Sequence, residues 1–463
     1  MIKTIFIVFS VFILAGNTFA EIKTITLSNA LELALQNNLA IVKAEKDLET
    51  AQAMYGESFA DFAMPSINGS AKFTELDPLT VQEGVINFAD VFPSTLSSNP
   101  AFSSLLGWLQ VISIVYPDNY TAGISVTKTL FAGFRFWNSL SIRKEYFDLA
   151  RAKLNDMKKE TISSVTISFY NLFLIRENIE SQLDYNQSLK DHVNFASNNY
   201  ASGNAMQYDF IASDLRYKLS LPVLRELSNN YLNEKLVFCQ QMGLNDPSSV
   251  ELIGDLLDAT NIKLPVTNND EILIQALSND INLKSIETSI HVAKLSKDIA
   301  LGEMYPTVDA FFNYNYGLGS TNSFAPVQRT WNSTWNAGVE LSMSFDSLIP
   351  YASKTWNKVA GDQSTFESLE AQRDMITNSI SLEVQSLIQQ LEEGRDDIRI
   401  SRDDVNLAKL GYRLANERYK AGNSTELEVI DAENSEVEAE SRWSKSIFDY
   451  YSSIIKLMRI ISG

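Results

Sequence analysis

Cysteine is almost absent. Cys239 stands alone in 463 residues, so no intramolecular disulfide can brace the fold and packing must supply its stability. Between Phe238 and Met242 it reads as a small residue on an apolar helix face. Histidine is nearly as scarce. His192 and His291 each fall in a helical stretch without a cysteine or a paired acidic motif, which argues against a metal centre or a general base. With no nucleophile elbow and no phosphate loop either, the chain reads as non-enzymatic and without a cofactor. Basic residues are in deficit, 38 against 57 acidic, and the net charge of -19 with no basic stripe excludes a nucleic-acid binder. Long apolar runs are missing as well. The one from Ile5 to Leu14 falls short of the roughly 20 residues a spanning helix needs, and no helical membrane anchor is expected.

That run has another use. Lys3 precedes it and Thr18-Phe19-Ala20 follows, so residues 1–20 read as a cleavable secretory signal, with the mature chain beginning at Glu21. No cysteine follows the expected cleavage site to carry a lipid. The 45% hydrophobic and 21% charged residues suffice for a folded core.

Two distant segments share one pattern. Ala30-Leu31-Glu32-Leu33-Ala34-Leu35-Gln36-Asn37-Asn38 resembles the stretch from Glu271 to Asp280, and each opens a long helical stretch. Each stretch ends at a proline leading alternating residues, Pro65-Ser66-Ile67 and Pro306-Thr307-Val308. At the far end Tyr200-Ala201-Ser202-Gly203-Asn204 corresponds to Tyr419-Lys420-Ala421-Gly422-Asn423. The chain is therefore expected to hold two structural repeats, 21–242 and 270–463, joined by a linker over 243–269 that contains Pro247 and Pro265. Each repeat reads helix, strand, loop, strand, very long helix, turn, helix. Gly203 and Gly422 supply the positive φ at which one helix ends and the next reverses.

No proline interrupts the chain between Pro117 and Pro222 or after Pro350. Ile162, Val165, Phe169, Leu172, Ile179 and Leu183 form one three-four seam, and Val384, Leu387, Leu391, Ile398 and Val405 another, which predicts antiparallel coiled-coil helices. The run from Tyr351 to Tyr419 would extend on the order of 100 Å. Pro222 predicts a kink in the returning helix of the first repeat.

Helices alone would fit a periplasmic coiled-coil adaptor or a structural surface protein. The strands argue otherwise. Four segments, about 66–74, 121–129, 307–316 and 335–345, alternate apolar with polar residues, as a wall between lipid and water requires. Ile67, Gly69, Ala71 and Phe73 oppose Asn68, Ser70, Lys72 and Thr74; Val308, Ala310, Phe312, Tyr314 and Tyr316 oppose Asp309, Phe311, Asn313 and Asn315. Trp335, Tyr314, Tyr316 and Phe345 fit an interfacial aromatic belt or a band facing outer-membrane lipid, with core packing as the alternative. Residues 75–119 form a long first loop, more apolar than a solvated loop should be. Four strands cannot close a barrel, but three chains would contribute twelve. The expected class is an α+β membrane protein: long coiled-coil helices plus four transmembrane β-strands per chain, completed as a homotrimer.

With the repeat, the proline-led strands and the tyrosine-glycine turns, the chain resembles the TolC family of outer-membrane efflux proteins. The most specific portion is Tyr419-Lys420-Ala421-Gly422-Asn423-Ser424-Thr425-Glu426-Leu427-Glu428-Val429-Ile430-Asp431-Ala432-Glu433. The resemblance implies a trimer with a twelve-stranded outer-membrane barrel and a periplasmic tunnel of helices. It further implies a passive exit duct of an efflux pump or type I secretion system, docking with a periplasmic adaptor and an inner-membrane transporter.

The resemblance also assigns residues. Acidic residues six and nine positions after the second turn glycine, here Glu428 and Asp431, would ring the periplasmic mouth; without it, the carboxylates from Glu426 to Glu440 read as solvated charges of an exposed helix. Asp209, six after Gly203, and Tyr419 match a gate lock, whereas Ser424 stands where the family often has arginine.

Overall fold

The computed structural model describes residues 23–75, 100, 118–203, 206–244, 246–263, 268–320, 329–345 and 349–462. The expected signal segment and nearly all of the 75–119 loop lie outside them.

In chain order the elements are β1 (Lys23–Ile25), α1 (Leu27–Asn37), α2 (Leu39–Ala63), β2 (Ser66–Glu75), β3 (Asp118–Ala132), α3 (Arg135–Ala201), α4 (Gln207–Gln241) and β4 (Val250–Leu252). There follow α5 (Asn269–Asn279), α6 (Ile281–Gly302), β5 (Thr307–Ser320), β6 (Arg329–Ser342), α7 (Lys354–Lys420) and α8 (Glu426–Ile461). The long helices α3 and α7 have 67 residues each. Among the described residues no helix is long and apolar enough to cross a membrane.

Two differences from the sequence expectation have local causes. The first helical stretch of each half is two helices, broken at Asn38 and Asp280, whose backbones turn extended. Each side chain then accepts from a following backbone N–H, Asn38 Oδ1 from Ala40 at 2.8 Å and Asp280 Oδ1 from Leu283 at 2.7 Å, so short polar residues reopen the chain as a new helix start. The Asn38 amide also donates to the carbonyl of Gln241 at the end of α4, and the Asn279 amide to that of Ile461 at the end of α8. Carbonyls that a helix end leaves without a partner are thereby satisfied in the same way in both halves. Helix α4, by contrast, runs unbroken through Pro222.

The chain divides into two compact units, and each draws on both halves of the sequence. One comprises 1–49, 149–286 and 372–463. Its core gathers Ile25, Ala30, Ala34, Val165, Phe169, Leu172, Phe173, Phe238, Cys239 and Met242, with Phe169 and Phe173 edge to face at 4.9 Å. Cys239 is buried there as an apolar residue, and burial pushes its thiol pKa up. The 243–269 segment is more than a linker. β4 pairs in parallel with β1, and Val250, Leu252, Leu256 and Ala259 are buried in this core. The second seam is buried at Val384, Leu387, Leu391 and Val405; in the first, Val165, Phe169 and Leu172 are buried but Ile162 and Leu183 are exposed, and beyond Leu172 burial falls on Gln182, Tyr185, Leu189 and Ala196.

The other unit, 50–148 and 287–371, holds a four-stranded antiparallel sheet in the order β2-β3-β5-β6. The fourth strand begins at Arg329, earlier than its alternation announced, and stops at Ser342, before Met343 and Phe345. Register puts the apolar rows side by side. Ile67 faces Val126, which faces Phe312, which faces Ala337; Gly69, Ile124, Tyr314 and Trp335 form the next row. The intervening rows carry Asn68, Ser125, Asn313 and Asn336, so one face is apolar and the other polar. Trp335 and Ile67 are 71% and 67% exposed, so the apolar face has no covering layer in the single chain, and Asn68, Ser70 and Asn336 of the polar face are exposed as well. β2 and β6 are the two edges of this sheet among the described residues.

Candidate functional site

The candidate residues gather where α3 turns into α4 and α7 into α8. Gly203 and Gly422 take φ of +74° and +75°, and their N–H groups bond back to the carbonyls of Tyr200 and Tyr419 at 3.0 and 2.9 Å. A side chain at that φ is strained, so glycine ends both long helices. The helices that follow start differently. At α8, the Thr425 hydroxyl caps by accepting from Glu428 N, while at α4 the Asp209 carboxylate accepts from the backbone N–H of Met206 at 3.2 Å.

Asp209 and Tyr419 line one cavity of about 430 Å³, together with Tyr208, Arg216, Glu426 and Ile430. Burial pushes the Tyr419 phenol pKa up, and the charges of Glu426 and Asp209 add to it. No hydrogen bond joins Tyr419 to Asp209 among the described residues. The carboxylate is committed to its own helix start, and the Tyr419 ring stands edge-on to Phe195 at 6.2 Å.

Glu428 and Asp431 are about half exposed, and each has an arginine nearby. Glu428 accepts from the Ser424 hydroxyl at 2.6 Å, with Arg418 Nη1 3.9 Å away. Asp431 Oδ1 lies 2.6 Å from Arg216 Nη1 of α4.

Sequence reasoning missed the centre of this region. His192 of α3 has Nδ1 2.9 Å from Glu426 Oε1 and Nε2 4.0 Å from Glu433 Oε2, both on α8. Ser188, one turn earlier, donates to Glu433 at 2.9 Å. Glu426 and Glu433 are only 14% and 13% exposed, so the expectation of solvated charges fails for these two. Burial raises the Glu433 carboxyl pKa, while the Ser188 hydrogen bond and His192 lower it. A separation of 234 residues between His192 and Glu426 left no local signal. The imbalance between α3's single histidine and α8's run of carboxylates was the only hint in the sequence.

The fold thus combines long-helix pairs with glycine turns, a one-faced sheet open at both edges and acidic residues after the second turn. The family described as outer membrane efflux protein matches residues 30–214. Among solved structures, the fold is similar to the outer-membrane channel OprN at a TM-score of 0.74 and 16% identity, covering 94% of this chain and 90% of that one. VceC of Vibrio cholerae gives 0.72 at 15% identity over 94% and 96%, and CmeC of Campylobacter jejuni 0.70 at 16% over 94% and 85%. No curated protein sequence matches the chain. The resemblance to TolC-like outer-membrane efflux proteins thus stands on the family match over 30–214 and on the fold.

Proposed function

We propose that the chain is one protomer of a homotrimeric outer-membrane exit duct, a passive conduit that docks with a periplasmic adaptor and an inner-membrane transporter. The observation that carries the reading is the sheet. Four long antiparallel strands, in register but for a shift between Thr129 and Phe131 of β3, present an apolar face and two open edges, and an open edge of that length calls for a partner strand. Three copies joined edge to edge give twelve strands, close the barrel, and set the apolar rows against lipid and the Ser, Asn and Thr rows against water. The halves 21–242 and 270–463 act as two repeats, so each protomer lends two strand pairs to the wall and two helix turns to the periplasmic mouth. There Glu428 and Asp431 form acidic rings, and Tyr419 and Asp209 line one cavity beside them. The chain opens and closes a path without performing chemistry, energy coming from the transporter.

Recording from the purified protein in a planar bilayer, with its mass in mild detergent, tests this. A trimer that fractionates with outer membranes and gives cation-preferring steps is the expected result. A well-folded protein recovered as a soluble monomer from the periplasm would overturn it in favour of a coiled-coil adaptor.

A further inference from the structure

Arg216 separates two cavities. It lines the one holding Tyr419 and Asp209 and also a second, of about 520 Å³, walled by Tyr185, Gln182, Leu219 and Glu438. Its side chain is 33% exposed, and Nη1 meets Asp431 Oδ1 at 2.6 Å, within charge-assisted hydrogen-bond distance. Asp431 is 58% exposed, so the arginine lies on the protein side of the carboxylate and the carboxylate on the solvent side. The guanidinium is felt further in as well. Burial, with Glu433, Asp431 and Glu438, pushes the Tyr185 phenol pKa up to about 12, and Arg216 is the one group opposing the rise.

Glu428 is held differently. Its hydrogen-bond donor is the neutral Ser424, and Arg418 stands beyond hydrogen-bond range at 3.9 Å. The two carboxylates therefore carry unequal net charge outward. A carboxylate bonded directly to a guanidinium projects a dipole's short-range field, whereas Glu428, held by a hydroxyl with its guanidinium 3.9 Å off, is compensated less closely and projects more of its charge.

We propose that Arg216 is a selectivity-determining residue, which neutralises Asp431 and leaves Glu428 as the acidic group that sets ion preference. This rests on the reading of the chain as a duct with both residues at its mouth. Arg216 acts through Asp431 and touches no passing ion, so it is a positioning and charge-balancing group.

The test is the K⁺/Cl⁻ permeability ratio, from reversal potentials of the full-length protein in a KCl gradient, at an ionic strength low enough that screening does not hide single charges. Arg216→Gln exposes an uncompensated carboxylate and raises cation preference several-fold. Asp431→Asn leaves an uncompensated guanidinium and lowers it. The double variant removes a neutral pair and returns close to wild type, as does Arg216→Lys, which keeps the charge. Selectivity that follows net charge in this way is a pattern that a merely structural bridge does not produce. If the bridge only held the turn shut, both single variants and the double would shift conductance together, with no opposite changes in selectivity, and the proposal would be overturned. Unchanged ratios in a conducting protein overturn it while sparing the duct. Folded trimers that never conduct, in wild type and every variant, overturn the duct and this proposal with it. Trimer mass and helical circular dichroism establish that each variant is folded.

Discussion

His192 on α3 reaches Glu426 on α8 at 2.9 Å, with its other ring nitrogen 4.0 Å from Glu433, and so a single imidazole stands between two largely buried carboxylates from the other half of the chain. Its removal leaves Glu426 without the ring nitrogen at 2.9 Å and Glu433 with the Ser188 hydroxyl but no imidazole beside it. His192→Ala is expected to cost about 1–3 kcal/mol, the usual penalty for stranding a buried polar group. His192→Gln, which keeps an N–H donor, should recover part of it. Denaturant unfolding followed by helical signal measures both; equal stability of all three proteins would mean that the contact contributes nothing.

The Glu433 carboxyl gives a pH prediction whose sign is fixed. Burial raises its pKa above the ordinary 4.5, outweighing Ser188 and His192. The folded chain thus holds this proton more tightly than the unfolded chain, and stability falls as pH rises from 4.5 through the raised value. Glu433→Gln keeps an acceptor for the Ser188 hydroxyl and removes the buried charge. Its melting temperature should exceed that of wild type at neutral pH, with the difference shrinking as acid protonates Glu433. A Gln variant less stable at neutral pH would show instead that His192 dominates.

Asp209 and Tyr419 separate two meanings of a lock. Asp209 caps the start of α4 through Met206 N, and no bond links it to the Tyr419 hydroxyl. Asp209→Ala should therefore fray the first turn of α4, costing about 0.5–2 kcal/mol as cap losses do. Tyr419→Phe should leave stability near wild type because the ring contact with Phe195 survives. Faster amide exchange at Asp209 and Phe210 in the first variant alone is the expected signature. Equal exchange in both would point to a Tyr419–Asp209 bond in the assembled protein.

The parts of this architecture legible in the sequence are those written in local periodicity. Alternation over ten residues marked β2, and the heptad spacing of Val384, Leu387 and Leu391 marked a seam that is buried. Gly203 and Gly422 were visible because a turn glycine follows tyrosine at the same spacing in both halves. The breaks at Asn38 and Asp280 were hidden, since apolar periodicity continues across them and only a side-chain hydrogen bond reopens the helix. Close approaches between distant segments were equally invisible. A Cβ on Gly133 would stand 2.3 Å from the Gly302 carbonyl oxygen, and one on Gly302 2.6 Å from that of Gly133, yet neither glycine is distinguished by its neighbours in the chain. The same holds for the pairs that Arg216 and His192 make. Periodicity says which face a residue is on, but not which charge from another helix meets it there.

The register of the sheet gives the sharpest test of which face meets lipid. Ile124 and Ser125 are neighbours on β3, pointing to opposite faces, with Tyr314 beside the first and Asn313 beside the second. Lysine on a lipid-facing barrel position costs roughly 2–4 kcal/mol near the midplane, and a trimer would bear it three times. Ile124→Lys is therefore expected to abolish recovery of heat-stable trimer from the outer membrane. Ser125→Lys, on the polar face, should assemble normally and reduce cation conductance by placing three positive charges along the aqueous path. Both effects follow from a one-residue difference in position, so a reversal of the two phenotypes would mean that the apolar rows face inward, and the closed twelve-stranded wall could not be the way these edges are satisfied.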